Sequence, residues 1–292
     1  MAKYVKIGNH KVGEDPTYIV AEIGINHNGD IELAKKLIKI AKEKGCNAVK
    51  FQKRNPEQCV PMNKREQIRT TPWGDMTYFD YKLKIEFGEE EYREIDEYCK
   101  DLNIDWFVSV WDLDSIDFIK KFNPIALKIP SDKLNDDELL RKAVATKIPL
   151  ILSTGGSDID MIDHALTVVD HENTILLQCT SIYPVATHQV NLRVIDTFKK
   201  KYNLPIGFSS HHTSPNISLM AVCRGACLVE QHITQDRAMW GTDQAMSLEP
   251  RGLDIMVRNI RMYEEALGDG EKKVFDREAQ TLTRTIGRED IK

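Results

Sequence analysis

Two histidines and two lysines stand where short apolar runs end. His211 follows the run 205–208, after Ser209 and Ser210. His232 follows Leu228 and Val229, after Glu230. Lys50 follows Ala48 and Val49, and Lys128 follows Ala126 and Leu127. If the runs are neighbouring strands, His211 and His232 can converge on one divalent cation, with water or a carboxylate completing its shell. Two nitrogens plus oxygens suit Mn, Fe, Co or Zn. Either ring can instead serve as a hydrogen-bonding group, and His212 either faces solvent or substitutes for His211. A lysine in an apolar run is costly unless its charge is matched. Lys50 and Lys128 therefore either pair with a strand neighbour or form an anion site. Ser131, Ser153, Thr154, Ser181 and Ser209 add hydroxyl donors at other run ends. Gly155-Gly156 precedes a helix start, where phosphate is favoured. Two cations with several hydroxyls fit a phosphorylated, carboxylated ligand better than a neutral one. Glu22 ends the run 18–21, as an ion-paired structural group or as an acid/base. Asp243, in the loop after His232, is either in reach of the metal or a turn residue beside Gly241. Tyr183, before Pro184, lines a sugar pocket or packs.

These residues need elements to hold them. Eight apolar runs begin near residues 18, 48, 105, 126, 149, 174, 205 and 228, and each ends in polar side chains. Helix signals fill the gaps. Asp30, Asn135, Ser157 and Asn216 can cap helices, and a last periodic stretch spans 253–267, closed by Gly268. Alternating strands and helices with a polar group at each strand exit predict a single-domain (β/α)8 TIM barrel with its site on the C-terminal face. The interval between the second and third runs is much longer than the others. Within it, 54–87 reads mostly as loop, ordered by Trp73, Tyr78, Phe79 and Tyr81, and is a candidate lid or substrate wall. Residues 234–251 form a second irregular stretch on the same face. Residues 4–12 resemble a hairpin around Gly8-Asn9 that would plug the barrel bottom. The barrel domain is expected over 1–268, with a polar tail over 269–292.

Hydrophobic residues make up 41% of the 292, ample for a core, and the net charge of −5 argues against nucleic acid as a main partner. No apolar run is long enough to span a membrane, and no basic-then-apolar leader opens the chain. The six cysteines are scattered and read as free thiols, so a reducing, cytoplasmic setting is expected.

The ordered set AEIGINHNG (21–29), VKFQ (49–52), KIPS (128–131), LSTGG (152–156), CTSIYP (179–184), GFSSHH (207–212), VEQHIT (229–234) and AMWGTDQAMSLEP (238–250) resembles the sialic acid synthase family. That family condenses phosphoenolpyruvate with an aldose to give nine-carbon nonulosonic acids. The resemblance covers about residues 4–268. It implies a divalent metal on His211 and His232, with Mn preferred and Mg, Co, Fe or Zn as alternatives. It implies phosphoenolpyruvate on Lys50, Lys128, Ser131, Ser153, Ser181 and Ser209. Glu22, Gln52, Tyr183 and Asp243 would face the aldose, with Glu22 and Asp243 the catalytic candidates. A homo-oligomer, in the first instance a dimer, is expected. The sequence departs from the family pattern in three places. Val110 follows Ser109 where threonine is usual, Ser181 stands where asparagine is usual, and the family's small C-terminal antifreeze-like domain has no counterpart within the 292 residues. The competing readings are another phosphoenolpyruvate–aldose ulosonic acid synthase, which would need a second anion site for a sugar phosphate, a Schiff-base aldolase, a metallohydrolase, and a non-catalytic sugar-binding homologue.

Overall fold

The computed structural model describes residues 4–14 and 16–286. Eight parallel strands close into a barrel in sequential order: β1 (Tyr18–Gly24), β2 (Ala48–Lys53), β3 (Asp105–Val110), β4 (Leu127–Ile129), β5 (Leu150–Ser153), β6 (Thr174–Cys179), β7 (Ile206–Ser210) and β8 (Leu228–His232). Each begins within one residue of the start expected from its apolar run, and the (β/α)8 expectation holds. Nearly every strand residue is buried, because helices cover the outside while side chains fill the inside. An uncovered sheet face would have required an alternating pattern, which the runs lack.

Helix boundaries follow capping chemistry. Asp30 accepts from the backbone N–H groups of Glu32 and Leu33 and starts the helix Ile31–Glu43, which buries Leu33, Leu37, Ile38 and Ala41 against the barrel. Three other caps sit one or two residues from the expected positions: Asp136 rather than Asn135, Asp158 rather than Ser157, and Ser214 with Pro215 rather than Asn216. In each case the side chain that accepts from the first turn defines the start. The last barrel helix runs Pro250–Leu267, and a further helix, Asp276–Ile286, follows it. Residues 287–292 of the expected tail lie outside the described residues. Among the described residues, no helix is long and apolar enough to cross a membrane.

The segment 54–87 is not mostly loop. It folds into two short helices (Pro56–Cys59 and Met62–Arg65), a hairpin (Ile68–Thr71 with Gly74–Thr77) and the helix Tyr78–Ile85. These pieces are too short for periodicity to reveal. The aromatics fix the segment in place: Tyr81 meets Trp240 edge-on at 5.2 Å and Trp73 meets it at 5.8 Å, which ties the segment to the loop after β8.

At the opposite end of the barrel, strands Val5–Ile7 and His10–Val12 pair antiparallel. Val5, Ile7 and Val12 are buried against Tyr18, Val20, Phe107, Ile151, Ile175 and Leu228 inside the barrel. Ile7→Ala should therefore cost about 2–5 kcal/mol in urea unfolding, whereas Met62→Ala, 75% exposed, should stay within about 0.5 kcal/mol. Equal costs would show that the hairpin does not close the core.

Candidate functional site

Strand register assembles the site. Glu22 on β1 lies level with Lys50 on β2 and with His232 on β8, Ser109 on β3 is level with Lys128 on β4, and Ser209 on β7 with Glu230 on β8. Inward-facing members of neighbouring parallel strands must then meet on the axis. Lys50 Nζ lies 3.0 Å from Glu22 Oε2 and 3.3 Å from Glu230 Oε1, and it donates to Ser109 Oγ at 2.5 Å. Lys128 Nζ lies 3.5 Å from the same Glu230 oxygen. All four charged side chains are at most 5% exposed. Burial pushes the Glu22 carboxyl up, against the pull of Lys50. Burial acts on Glu230 too, but Lys128 and Lys50 outweigh it and hold that carboxyl down. Burial also works against the Lys50 ammonium, yet Glu22 and Glu230 hold it above the usual lysine range, while Lys128, with less compensation, falls below it.

Above Glu22, β1 carries a register shift that ends at Gly24, with φ +57°. A Cβ there would stand 2.9 Å from Glu22 Oε1 and 3.1 Å from Gln52 Nε2, the two atoms that form the Gln52-to-Glu22 hydrogen bond of 2.9 Å. Glycine is what lets both side chains share the strand exit. At Gly155 a Cβ would come 2.8 Å from Ser131 Oγ, which accepts from the Gly155 N–H at 3.0 Å. This glycine fixes the Ser131 hydroxyl beside the cavity.

The chamber so formed has two parts. An inner cavity of about 50 Å³ is lined by Glu22, Lys50, Lys128, Ser131, Ser153, Ser209, His211, Glu230 and His232, among others. A wider cavity of about 480 Å³ adjoins it through the shared residues Gln52, Trp111, Pro130, Ser131, Tyr183 and His232, and also carries Arg54, Lys82, Ser181 and Asp243. The structure thus brings Lys50, Lys128, Ser131, Ser153 and Ser209 together. Ser181 is exposed and lines only the outer cavity, because it lies beyond the end of β6. Thr154 does not line either cavity, and its hydroxyl is spent on the Leu177 carbonyl. His212 pairs with Thr187 and lies outside both cavities. Trp73 also lies outside both, in a separate surface groove with His27 and Trp240, so it does not stack over the pocket.

The rings of His211 and His232 lie 5.6 Å apart, and Tyr183 packs on His211 at 4.0 Å. His211 Nδ1 is hydrogen-bonded to the Thr180 carbonyl at 2.8 Å, which directs its other nitrogen to serve as the free one. His232 Nδ1 is buried with no hydrogen-bond partner among the described residues, and Asp243 Oδ2 stands 4.0 Å away. Burial keeps His232 neutral, the state a metal ligand needs. Ser153 Oγ and Glu230 Oε2 are likewise buried without a hydrogen-bond partner. An orphaned ring nitrogen beside a second oriented imidazole fits a divalent ion. Among the described residues no group of three or more His, Cys, Asp or Glu is arranged to hold one, so such an ion would take two protein nitrogens and find its remaining ligands in water or substrate.

The NeuB family profile matches residues 37–272. The chain belongs to the NeuB family. It is similar to N-acetylneuraminate-9-phosphate synthase of Homo sapiens, with 37% identity over 90% of this chain and 74% of that one. It is also similar to N,N'-diacetyllegionaminic acid synthase of Campylobacter jejuni, with 35% identity over 94% and 86%. Among solved structures, N-acetylneuraminic acid (sialic acid) synthetase from Leptospira borgpetersenii, in complex with citrate, superposes with a TM-score of 0.85 at 31% identity, covering 99% of both chains. Family membership makes this chain an enzyme of the synthase kind, as its motifs implied.

Glu230 was legible as a polar residue at the exit of β8 but carried no assigned role. Its importance comes from the register with Ser209 and from a distance to both lysines that no local signal reveals. Arg54, Lys82 and Trp111 were also missed as pocket residues. Among the described residues, Glu230→Ala would leave Lys128 with no carboxylate within 4.0 Å and Lys50 with one. It should destabilise the free protein by about 3–5 kcal/mol in urea unfolding. An unchanged unfolding midpoint would show that the lysines do not depend on it.

Proposed function

We propose that the protein condenses phosphoenolpyruvate with an N-acetylated aldose resembling N-acetylmannosamine, releasing phosphate and a nonulosonic acid. The observation that carries this reading is the two-part cavity. Its inner chamber presents two buried ammonium groups and four serine hydroxyls, Ser109, Ser131, Ser153 and Ser209. Its outer chamber, of about 480 Å³, sets polar side chains such as Gln52, Asp243 and Thr242 beside apolar surface from Ile25, Trp111 and Pro130, and its size is within the range of about 300–1,000 Å³ common for small-molecule sites. A small polyanion suits the first, and a sugar suits the second.

Lys50 and Lys128 hold the phosphate and carboxylate, and Ser153 Oγ, which has no hydrogen-bond partner among the described residues, donates to one of them. Fixing both anionic ends leaves the C3 carbon as the free nucleophilic end, turned toward the outer chamber. C3 attacks the open-chain aldehyde carbon, so a C–C bond forms and the carbonyl oxygen takes up a proton. Water adds at C2 and the C2–O bond to phosphate breaks, giving the 2-keto acid in its hydrated or ring-closed form. Glu22, whose carboxyl burial pushes up, can hold a proton at its carboxylate and pass it to the sugar oxygen. Gln52, tied to Glu22 at 2.9 Å, orients that carboxyl, and Tyr183 and Asp243 line the sugar's side of the chamber. His211 and His232 would hold the divalent ion, Mn in the first instance, which as a Lewis acid would polarise the aldehyde.

The test is phosphate release from phosphoenolpyruvate across a panel of N-acetylated aldoses and shorter aldose phosphates. Turnover with an N-acetylated hexose is expected, and turnover confined to four- or five-carbon aldose phosphates would overturn the reading. Lys128→Met should raise the Michaelis constant for phosphoenolpyruvate with little change in that for the sugar, since one charge-assisted contact is worth about 1.5–3 kcal/mol. An unchanged constant would make this lysine structural. His211→Ala and His232→Ala should each lose most bound metal by elemental analysis while keeping the wild-type circular dichroism spectrum. Full metal occupancy in both variants would remove the pair from the metal site.

A further inference from the structure

The mouth of the barrel holds a second pair of cations that the reaction described above does not use. Arg54 follows the end of β2, and Lys82 lies on the helix Tyr78–Ile85. Both line the 480 Å³ outer chamber together with His232 and Asp243, and both also line a side pocket of about 190 Å³ with Tyr78 and Glu86. Both side chains are half-buried. Among the described residues, neither head group has a carboxylate within 4.0 Å. The acids nearby are committed elsewhere. Glu86 pairs with Lys53 at 2.9 Å and accepts from the Arg54 backbone N–H, Asp132 accepts from the Trp111 indole, and Asp243 accepts from Thr242 and faces His232.

The donors of these cations are largely unspent. The Arg54 guanidinium stacks on Trp111 at 3.8 Å and gives one hydrogen bond, to Gln52 Oε1 at 2.7 Å, out of five available N–H groups. Lys82 Nζ sits 5.4 Å from the ring centres of Tyr78 and Tyr81 and makes no hydrogen bond among the described residues. Its ammonium is pushed down to about 8 by burial and by Arg54. The Tyr81 hydroxyl is buried and has no hydrogen-bond partner among the described residues. Asp243 and Glu86 offset burial and the Arg54 charge at Lys82 only in part, so two like charges held in one concavity favour an anion that fills the space.

The position of the pair says which anion. Arg54 is bonded to Gln52, and Gln52 to Glu22, so the cations stand outward of the strand-end groups and away from Lys50 and Lys128. Resting on the reading of this chamber as the aldose site, we propose that Arg54 and Lys82 form a second anion site that takes a phosphate monoester carried by the aldose at the end remote from its aldehyde. Planar, forked Arg54, held flat by Trp111, suits two phosphate oxygens, and Lys82 supplies a point charge to the third. The substrate class then narrows to a phosphorylated N-acetylhexosamine, and the product to a nonulosonic acid phosphate.

Calorimetric binding of N-acetylmannosamine 6-phosphate and of N-acetylmannosamine tests this without requiring turnover. The phosphorylated sugar should bind at least tenfold more tightly. Lys82→Met should lower that preference at least tenfold, and Lys82→Arg should restore most of it. Phosphoenolpyruvate should bind Lys82→Met as it binds wild type. Equal affinities, no measurable binding of either sugar, or a preference intact in Lys82→Met would overturn the proposal. So would a parallel loss of phosphoenolpyruvate affinity, which would assign the cations to that ligand instead. Failure of every aldose to release phosphate would refute the condensation, while the binding comparison would still decide the role of Lys82.

Discussion

The Lys50 ammonium is shared between Glu22 and Glu230, and the rest of the site is arranged around that sharing. Each of these ions costs several kcal/mol to take out of water. In the barrel the cost is offset only because three strands deliver opposite charges to within 3.0–3.3 Å of one nitrogen. Lys128 enters the same cluster through Glu230. The four side chains carry no net charge when all are ionised, so the free protein tolerates them. They also remain underused: among the described residues, Glu230 Oε2 and the neighbouring Ser153 Oγ have no hydrogen-bond partner. A buried network with loose ends is costly as structure and useful as a binding site.

Building such a cluster constrains everything below and beside it. The strands must keep their register, so their outward faces are packed with Ile, Leu and Val against the helices, and the hairpin Val5–Ile7 with His10–Val12 fills the opposite mouth. The strand exits must tolerate crowding, which explains glycine at 24 and 155, where a Cβ would meet the site's own oxygen atoms. The long insertion after β2 adds Arg54 and Lys82 to the wall of the outer chamber. Trp240, from the loop after β8, anchors that insertion through Trp73 and Tyr81, so two excursions from different strands act as one rim.

The barrel was legible because each strand is a short apolar run closed by polar residues, a pattern that survives without knowledge of neighbours. His211, His232, Lys50 and Lys128 were legible for the same reason: each breaks an apolar run at its exit. Glu230 also sits at an exit, yet its role depends on which side chains face it across two strand boundaries, which is a property of register. Arg54 and Lys82 were hidden in an insertion read mostly as loop. Helices of four residues and a hairpin of four-residue strands leave no periodic trace, and nothing local distinguishes Lys82 from the exposed Lys84 two residues on. Trp73, an aromatic in the segment read as a candidate lid or substrate wall, lies against another tryptophan and outside the chamber.

A crystal structure of the protein with phosphoenolpyruvate, at a resolution that separates carboxylate from phosphate, tests the role of the buried cluster most directly. The two anionic ends should lie within hydrogen-bond distance of Lys50 Nζ, Lys128 Nζ and Ser153 Oγ, with C3 facing the outer chamber. Finding Lys50 and Lys128 still paired only with Glu22 and Glu230, and the ligand seated between Arg54 and Lys82, would contradict it.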